Sequence, residues 1–245
     1  MVDQLALPTS EADQSDEAII FPDANQLVTE DDTPVDNFAS EKQQRLLTSI
    51  LFSSLKERQP FIAAANVGIY YTDDQPPIVP DVFVSFGVQV AKDWWAKQNR
   101  CYLLWKFGKP PEIAIELVSN KVGKELTDKL AIYEHMRVSY YAVYDPKQRL
   151  SEHPLRIFEL RGTQYFELSQ PWMAHVELGL TLWDGELEGN DNTWLRWQDA
   201  NGNLLPTGDE QAAQAQAQAE QERDRADRLA AYLRSQGINP DELPQ

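Results

Sequence analysis

The chain has 245 residues and a formal net charge of −17, a length that suits one sizeable domain with appendages or two small ones. No run of about 18 apolar residues occurs, so we predict no membrane span. The N-terminal residues lack a basic region and an apolar core, and Cys101 is the single cysteine, so we expect a cytoplasmic protein.

The acidity is concentrated at the two ends of the chain. Residues 1–37 carry ten acidic residues and no Lys or Arg, and residues 184–245 carry 13 acidic against five basic residues. Residues 38–183 have a net charge of +1. An acidic protein repels nucleic acid at long range, which argues against indiscriminate, tight coating of DNA. The nearly neutral middle still permits local binding through clustered lysines.

The composition divides the chain into three predicted parts. Residues 1–36 are predicted to be an acidic leader that is mobile or loosely docked, and residues 37–205 to be the folded domain. Residues 206–245 are rich in Gln, Ala and Glu and predict a helical tail. This tail is either a solvated helix or an association helix, and the two leucines between residues 208 and 235 are too few to define a coiled-coil heptad.

The first predicted element is a helix that begins near Asn37, is capped by Ser40 and is stopped by Pro60. Residues 61–72 predict a strand or a hairpin pair, and residues 82–86 predict a further strand.

Residues 88–109 are aromatic and basic, and they suggest a short helix and a strand. Within them, Trp94 and Trp95 stand beside Lys92, Lys97 and Arg100. Such a group can stack on and contact a strand of nucleic acid. We favour the alternative, in which both tryptophans pack inside an insertion, because Trp is mostly well buried.

The second half of the domain alternates between strand and helix patterns. A strand over 112–118 is followed by a polar turn, a helix over 124–137 and a β-prone segment over 139–145. Short strands with turns between them come next and predict an antiparallel extension. This order predicts an α/β or α+β fold with a mixed sheet, the antiparallel extension and the C-terminal helix.

Two carboxylates stand on neighbouring predicted strands. Glu116 lies within an otherwise apolar strand, where a lone carboxylate is costly unless something pairs with it. Asp81 stands at the entry of strand 82–86. These carboxylates, with a backbone carbonyl beside Glu116 such as that of Leu117, supply the oxygen ligands that Mg²⁺ or Mn²⁺ prefers. We therefore predict a metal site that polarises a phosphoryl oxygen and activates water.

Lys129 is the third candidate. It shares a helix face with Leu126, Leu130, Tyr133 and Arg137 by its spacing. If that face packs on the sheet, the ammonium lies near the carboxylates, where it orients water or stabilises negative charge.

Each candidate also has a purely structural interpretation. Asp81 can cap a turn, and Glu116 can face solvent or pair with a lysine. Lys129 can lie at the border of the apolar helix face and extend its ammonium into solvent. The occurrence of all three with the right intervening elements favours a site.

The string PDVFVSF, followed by EIAIELVSNKVGKELTDKLAIYEHMRVSYYAVYDP, resembles the Uma-two family of restriction-endonuclease-like proteins, part of the PD-(D/E)xK nuclease superfamily. The likeness runs from about residue 37 to about residue 183. It implies a restriction-endonuclease-like core, with a mixed four-stranded sheet flanked by helices, and a Mg-dependent endonuclease that hydrolyses DNA. Dimers are common in this architecture, so a homodimer is the oligomer that it suggests.

The resemblance assigns the metal to Asp81 and Glu116. The usual superfamily lysine would stand two residues after Glu116, where this chain has Val118. In this family a lysine on the following helix replaces it, and Lys129 matches that place. Two further lysines are substitutes that lie nearer the strand in sequence: Lys121 and Lys124.

Many superfamily nucleases also use a carboxylate on the first helix, for which Glu41 is the candidate here, as support for a second metal ion. Many family members carry a His near this place, and this chain has none there. A second hypothesis is a catalytically inactive nuclease-fold module for binding or assembly, whose C-terminal helix associates with a partner or a second copy. The displaced lysine and the acidic ends favour it.

Overall fold

The structure is a computed structural model, and it describes residues 23, 37–119, 124–237 and 239. The predicted leader, residues 1–36, therefore lies outside the described residues except for Asp23. Within the predicted polar turn, residues 119–124, the four residues 120–123 also lie outside them.

A six-stranded sheet forms the centre of the molecule. Its strands are β1 (Phe61–Ala65), β3 (Val82–Phe86), β5 (Ile113–Leu117), β6 (Tyr140–Tyr144), β7 (Leu155–Arg161) and β8 (Gln164–Glu167). They lie in the order β1-β3-β5-β6-β7-β8, with β5 and β6 parallel and the other neighbours antiparallel. The predicted mixed sheet is confirmed, and it has two strands more than the four that the resemblance implied.

Helix α1 (Phe38–Ser54) packs on one face of this sheet through leucine and isoleucine side chains. Asn37, rather than the predicted Ser40, caps it: the Asn37 side chain accepts hydrogen bonds from the backbone N–H groups of Ala39 and Ser40 at 3.0 Å. Ser40 is buried inside the first turn. The cap therefore lies three residues earlier than the sequence suggested.

The two strands within residues 61–72 do not form a hairpin. β1 pairs with β3, whereas β2 (Ile69–Tyr70) pairs in parallel with β4 (Tyr102–Leu103), which is followed by the short helix α2 (Leu104–Phe107). This two-stranded sheet connects the loop before β3 to the long segment after it.

The predicted antiparallel extension is confirmed. It consists of β9 (Trp172–Met173), β10 (Leu178–Leu187) and β11 (Asn190–Gln198), in the order β11-β10-β9. It lies against α1, where the Gln43 side chain donates to the Leu195 carbonyl at 2.8 Å and accepts from the Leu195 N–H at 2.9 Å. This buried double hydrogen bond fixes the extension to the domain.

The helix predicted over 124–137 has two parts. One π-helical turn, Glu125–Lys129, leads into α3 (Leu130–Met136), which ends at Arg137 in the left-handed region with φ 69°. Tyr133 and Met136 pack on the sheet face opposite to α1. The sheet is therefore covered by helices on both faces.

The tail helix α4 (Gly208–Ser235) is confirmed and begins in a capping box between Thr207 and Glu210. None of its residues is buried. Its first turn is anchored by a bidentate ion pair from the Arg196 guanidinium to the Glu210 carboxylate at 2.8 and 2.6 Å. In the described part of the chain, no helix is both long and apolar enough to cross a bilayer.

The favoured interpretation of Trp94 and Trp95 as packed side chains is wrong. They are 66% and 85% exposed, respectively. The segment around them forms turns and one short 3₁₀ helix, Lys97–Asn99, instead of a layer that covers the indoles.

Candidate functional site

The register of two strands brings Asp81 and Glu116 together. Val82 pairs with Ile115 across the antiparallel β3 and β5, so Asp81, one residue before, stands opposite Glu116, one residue after. Val82 and Ile115 pack under α1, and the alternation of strands turns the two carboxylates to the other face. Asp81 Oδ2 accepts a hydrogen bond from the Leu117 N–H at 2.7 Å. Both carboxylates line one pocket.

The surroundings of Glu116 explain how a carboxylate lies in an apolar strand. Its side chain is 1% exposed. The Lys129 ammonium donates to Oε2 at 2.7 Å, and the Tyr133 hydroxyl donates to Oε1 at 2.7 Å. A cation and a neutral donor on one helix thus offset the cost of removing this carboxylate from water.

The same surroundings shift the pKa values of Glu116 and Lys129. Burial raises the pKa of Glu116 to about 8; the Lys129 ammonium opposes this rise, and the charge of Asp81 adds to it. Burial lowers the pKa of Lys129, but its attraction to Glu116 and Glu125 outweighs burial, so that pKa is raised. Lys129 is therefore charged at neutral pH, and Glu116 takes up a proton more readily than an exposed glutamate does.

The π-helical turn before α3 places a third acidic residue at the pocket. Glu125 is 7% exposed, and its Oε1 lies 3.6 Å from the Lys129 ammonium. Its Oε2 is buried and has no hydrogen-bond partner among the described residues. The ammonium thus lies between two carboxylates, one from β5 and one from its own helical turn. A π-helical turn inside a helix occurs frequently at functional sites.

Helix α1 contributes a buried amide that contacts two residues of the pocket, Asp81 and Asn66. The Gln44 side chain is buried and donates to Asp81 Oδ1 at 2.8 Å, while it accepts from the Asn66 side chain at 2.9 Å. Both Asp81 oxygens therefore accept a hydrogen bond, one from Gln44 and one from the Leu117 N–H. The carboxylate is held in one orientation.

Glu41, the candidate from the first helix, does not reach the pocket. It lies on the solvent side of α1, where its 55% exposed side chain accepts from the Arg45 guanidinium at 2.9 Å. Arg45 also contacts Glu188 on the extension. Gln44, further along α1, is the side chain that reaches Asp81, so the helix places an amide rather than a carboxylate beside that residue.

The pocket is an open cleft of about 730 Å³ with acidic and basic walls. Its size is in the range of binding sites for small molecules. Val118, which occupies the usual place of the superfamily lysine, is 4% exposed and packs in the apolar cluster beneath α3. The polar side chains that line the pocket are Asn66, Gln75, Asp81, Glu116, Ser119, Lys124, Glu125, Asp128 and Lys129.

Of the three candidate lysines, Lys129 makes the contact with a strand carboxylate. Lys124 lies at the rim, where its 69% exposed side chain pairs with Asp128 at 2.7 Å. Lys121 lies outside the described residues.

The residues present fit a hard divalent cation. Two carboxylates from adjacent strands and the buried, unpartnered oxygen of Glu125 are oxygen donors. Within the described ranges, no three His, Cys, Asp or Glu side chains form a ready-made metal cluster. Mg²⁺ commonly binds through one or two carboxylates and keeps several waters, so this pair suffices. The Leu117 main chain also lies at the pocket.

Sequence reasoning missed Gln44 and Glu125. Helical spacing had placed Tyr133 with Lys129 on one face, but not its hydroxyl on Glu116. For Glu125 a signal was available, since it stands four residues before Lys129, the spacing of an ion pair within a helix.

Comparison with known proteins gives a family and likenesses to solved structures. The model of the Uma2 family, described as "Putative restriction endonuclease", matches residues 5–188. No curated protein matches the chain. The chain is also similar to the crystal structure of "a putative nuclease belonging to DUF820" from Anabaena variabilis ATCC 29413. The two are 16% identical with a TM-score of 0.40, over 56% of this chain and 71% of that one.

Proposed function

This chain belongs to the Uma2 family, described as "Putative restriction endonuclease", and we propose that it is a nuclease that hydrolyses phosphodiester bonds of DNA with Mg²⁺ or Mn²⁺. The observation that carries the proposal is the convergence of Asp81, Glu116 and Lys129 in one cleft, from two strands and a helix. These side chains are far apart in sequence. They meet because the β3–β5 register places Asp81 opposite Glu116, and the helical turn before α3 places Lys129 beside Glu116.

Asp81 and Glu116 are the residues that would hold the cation, with the Leu117 carbonyl as a further oxygen donor. A divalent cation bound there supplies Lewis acidity towards a phosphoryl oxygen and lowers the pKa of water. Gln44 and the Leu117 N–H keep the Asp81 carboxylate in place. Tyr133 does the same for Glu116. A preorganised site needs such supporting contacts.

Lys129 has a different task. Its side chain is 31% exposed and lies at the boundary between the buried Glu116 and the open cleft. A cation at this boundary stabilises negative charge that develops on a phosphoryl group in the transition state, or orients the attacking water. We propose that Glu125 helps to hold this ammonium at the cleft, since its Oε1 lies 3.6 Å from the ammonium and Glu125 also lines the cleft.

The proposal is tested by incubating pure protein with supercoiled plasmid and Mg²⁺ or Mn²⁺. We expect nicked or linear DNA from the wild type, no cleavage in EDTA, and a loss of at least about 100-fold in rate for Glu116→Gln and for Asp81→Asn. Glu41→Gln serves as a matched acidic control and should cleave like the wild type. Cleavage that persists in Glu116→Gln would reject the assignment.

A second candidate function is a binding or assembly module without catalysis. The observation that favours it is the Lys129–Glu116 ion pair, which neutralises the buried carboxylate without a metal. The long α4 helix, with Leu229 and Tyr232 about 60% exposed, would then recruit a second copy. Light scattering on the full chain and on a chain ending at Gln214 tests this idea. A dimer that becomes a monomer supports it, and an unchanged mass removes it.

A further inference from the structure

Two adjacent tryptophans stand on the surface of the segment from residue 88 to residue 107. Trp95 is 85% exposed and Trp94 is 66% exposed. A single exposed apolar side chain needs no explanation, but two neighbouring indoles left in water mark a surface that something else covers.

The charge of this segment is opposite to that of the whole chain. It contains four Lys or Arg and one acidic residue, Asp93, in a protein of net charge −17. The Asp93 carboxylate accepts from the Ala96 N–H at 3.2 Å and so belongs to the local turn. The surface around the tryptophans therefore attracts anions while most of the molecule repels them.

A groove of about 300 Å³ lies within the same segment. Its polar lining consists of amides and ammonium groups from Gln89, Lys92, Gln98, Asn99 and Lys106. The Lys106 ammonium donates to the Gln98 carbonyl at 3.0 Å and to the Asn99 side chain. In the part of the chain that the structure describes, neither Lys92 nor Lys106 forms an ion pair with a carboxylate. Their positive charge is therefore available to an external anion.

The segment is connected to the acidic cleft by the small parallel sheet. Leu103, in β4, pairs with Tyr70 in β2. The next residue, Tyr71, lines the cleft. A ligand held on the segment thus lies on an element that is hydrogen-bonded to the wall of the candidate site.

We propose that the segment from residue 88 to residue 107 binds a strand of nucleic acid, with bases stacked on Trp94 and Trp95 and phosphates held at Lys92 and Lys106. Every base has a π-face, so stacking on indoles tolerates any sequence, and the lysines release counterions from the phosphates. The amides of the groove bind phosphate oxygens or base edges. This inference rests on the proposed function, since it describes how a nuclease of this charge retains its substrate.

The test is fluorescence anisotropy with a labelled 20-nucleotide DNA, single-stranded and duplex, in EDTA so that binding is measured without cleavage. Trp94→Ala/Trp95→Ala should weaken binding at least about tenfold. Lys92→Gln/Lys106→Gln should weaken it and lower the slope of log K against log salt by about 1 to 2. The control Leu229→Ala/Tyr232→Ala removes an equally exposed apolar pair from α4 and should bind like the wild type. Unchanged melting temperatures show that all variants fold.

Several results overturn the inference. These are wild-type affinity in the Trp94→Ala/Trp95→Ala variant, or binding of the wild type to anionic phospholipid vesicles with none to DNA. Failure of the nuclease proposal looks different, because tryptophan-dependent DNA binding would remain while no metal ion gave cleavage. Conversely, metal-dependent cleavage with an unchanged KM in the tryptophan variant would remove this inference and leave the nuclease.

Discussion

At the residue scale, the Glu116 carboxyl is the group on which protonation, stability and metal binding all depend. It is fully buried between Lys129 and Tyr133, and its pKa is raised to about 8, mainly by burial. A carboxyl whose pKa is higher in the folded state than in the unfolded state binds more protons when folded. Its contribution to stability is therefore complete below its unfolded pKa, near 4.5, and is lost as the pH rises to about 8.

The first prediction concerns the pH dependence of metal affinity. A divalent cation binds the carboxylate, so below pH 8 it must displace the Glu116 proton. We expect the Kd for Mn²⁺ to weaken by up to about tenfold per pH unit between pH 8 and pH 6. Calorimetric titrations at pH 6, 7 and 8 measure this. Glu116→Gln is the control, with weak and pH-independent binding. A wild-type Kd that stays constant from pH 6 to pH 8 would contradict the account.

The second prediction concerns Lys129→Met. The ammonium holds the pKa of Glu116 down, so its removal raises that pKa and extends the pH range over which stability is lost. The variant should be close to the wild type at pH 6 and lose about 1.4 kcal/mol of unfolding free energy for each pH unit above 8. Urea denaturation at pH 6 and pH 9 measures the difference.

Lys124→Met is the matched control for that comparison. Its ammonium pairs with Asp128 at the exposed rim, where water screens the pair, so its removal should leave stability nearly unchanged at either pH. If Lys129→Met destabilises equally at both pH values, Glu116 and Lys129 are not coupled in the way described.

The residues of the site differ in how far sequence predicts them. Asp81, Glu116 and Lys129 were found because alternation along a strand and spacing along a helix are local properties. Gln44 was not, since it depends on which face of α1 turns towards the end of β3, and packing with the antiparallel extension decides that. The exposure of Trp95 was missed because tryptophan is usually buried. The short turns around Trp95 contain no helix or strand that packs over its indole.

At the scale of elements, the fold was predictable where periodicity is long and uncertain where it is short. α1, α4 and the strand with Glu116 follow from patterns of five or more residues. β2 and β4 have two residues each, and their pairing joins segments about 33 residues apart in sequence, from Ile69 to Tyr102. No local pattern reports such a pairing, which is why a hairpin remained an open interpretation.

The third prediction concerns the attachment of α4. Arg196 is 1% exposed, and Glu210 in the first turn of α4 is its carboxylate partner. A chain ending at Pro206 removes Glu210 and leaves the guanidinium buried without a counter-charge. We expect a loss of about 2 kcal/mol, or a melting temperature lower by about 4–8 °C. Differential scanning calorimetry measures the change.

A chain that ends at Gln214 is the matched control, because it keeps the ion pair and the capping box and loses only exposed helix. Its melting temperature should stay within about 2 °C of the full chain. Arg196→Met in the shorter chain should restore part of the lost stability, since it removes the unpaired charge. Equal melting temperatures for the two truncated chains would show that the ion pair does not anchor α4.

At the scale of the whole molecule, charge is distributed unevenly along the chain. The acidic ends give the chain its net charge of −17, while a basic segment lies between the strands that carry Asp81 and Glu116. Long-range repulsion from the ends opposes weak, unspecific association with nucleic acid, and the basic segment is the surface at which we propose that contact begins. The proposed metal site and the proposed nucleic-acid surface therefore lie on different parts of the molecule, with no lining residue in common.

The central claim is that Asp81 and Glu116 share one cation, and Mn²⁺ titration by calorimetry at pH 8 tests it most directly. The wild type should bind one Mn²⁺ per chain in the cleft, and Asp81→Asn and Glu116→Gln should each weaken binding at least about tenfold. The double variant should lose the site altogether. If either single variant binds Mn²⁺ as tightly as the wild type, the two carboxylates do not form a common metal site.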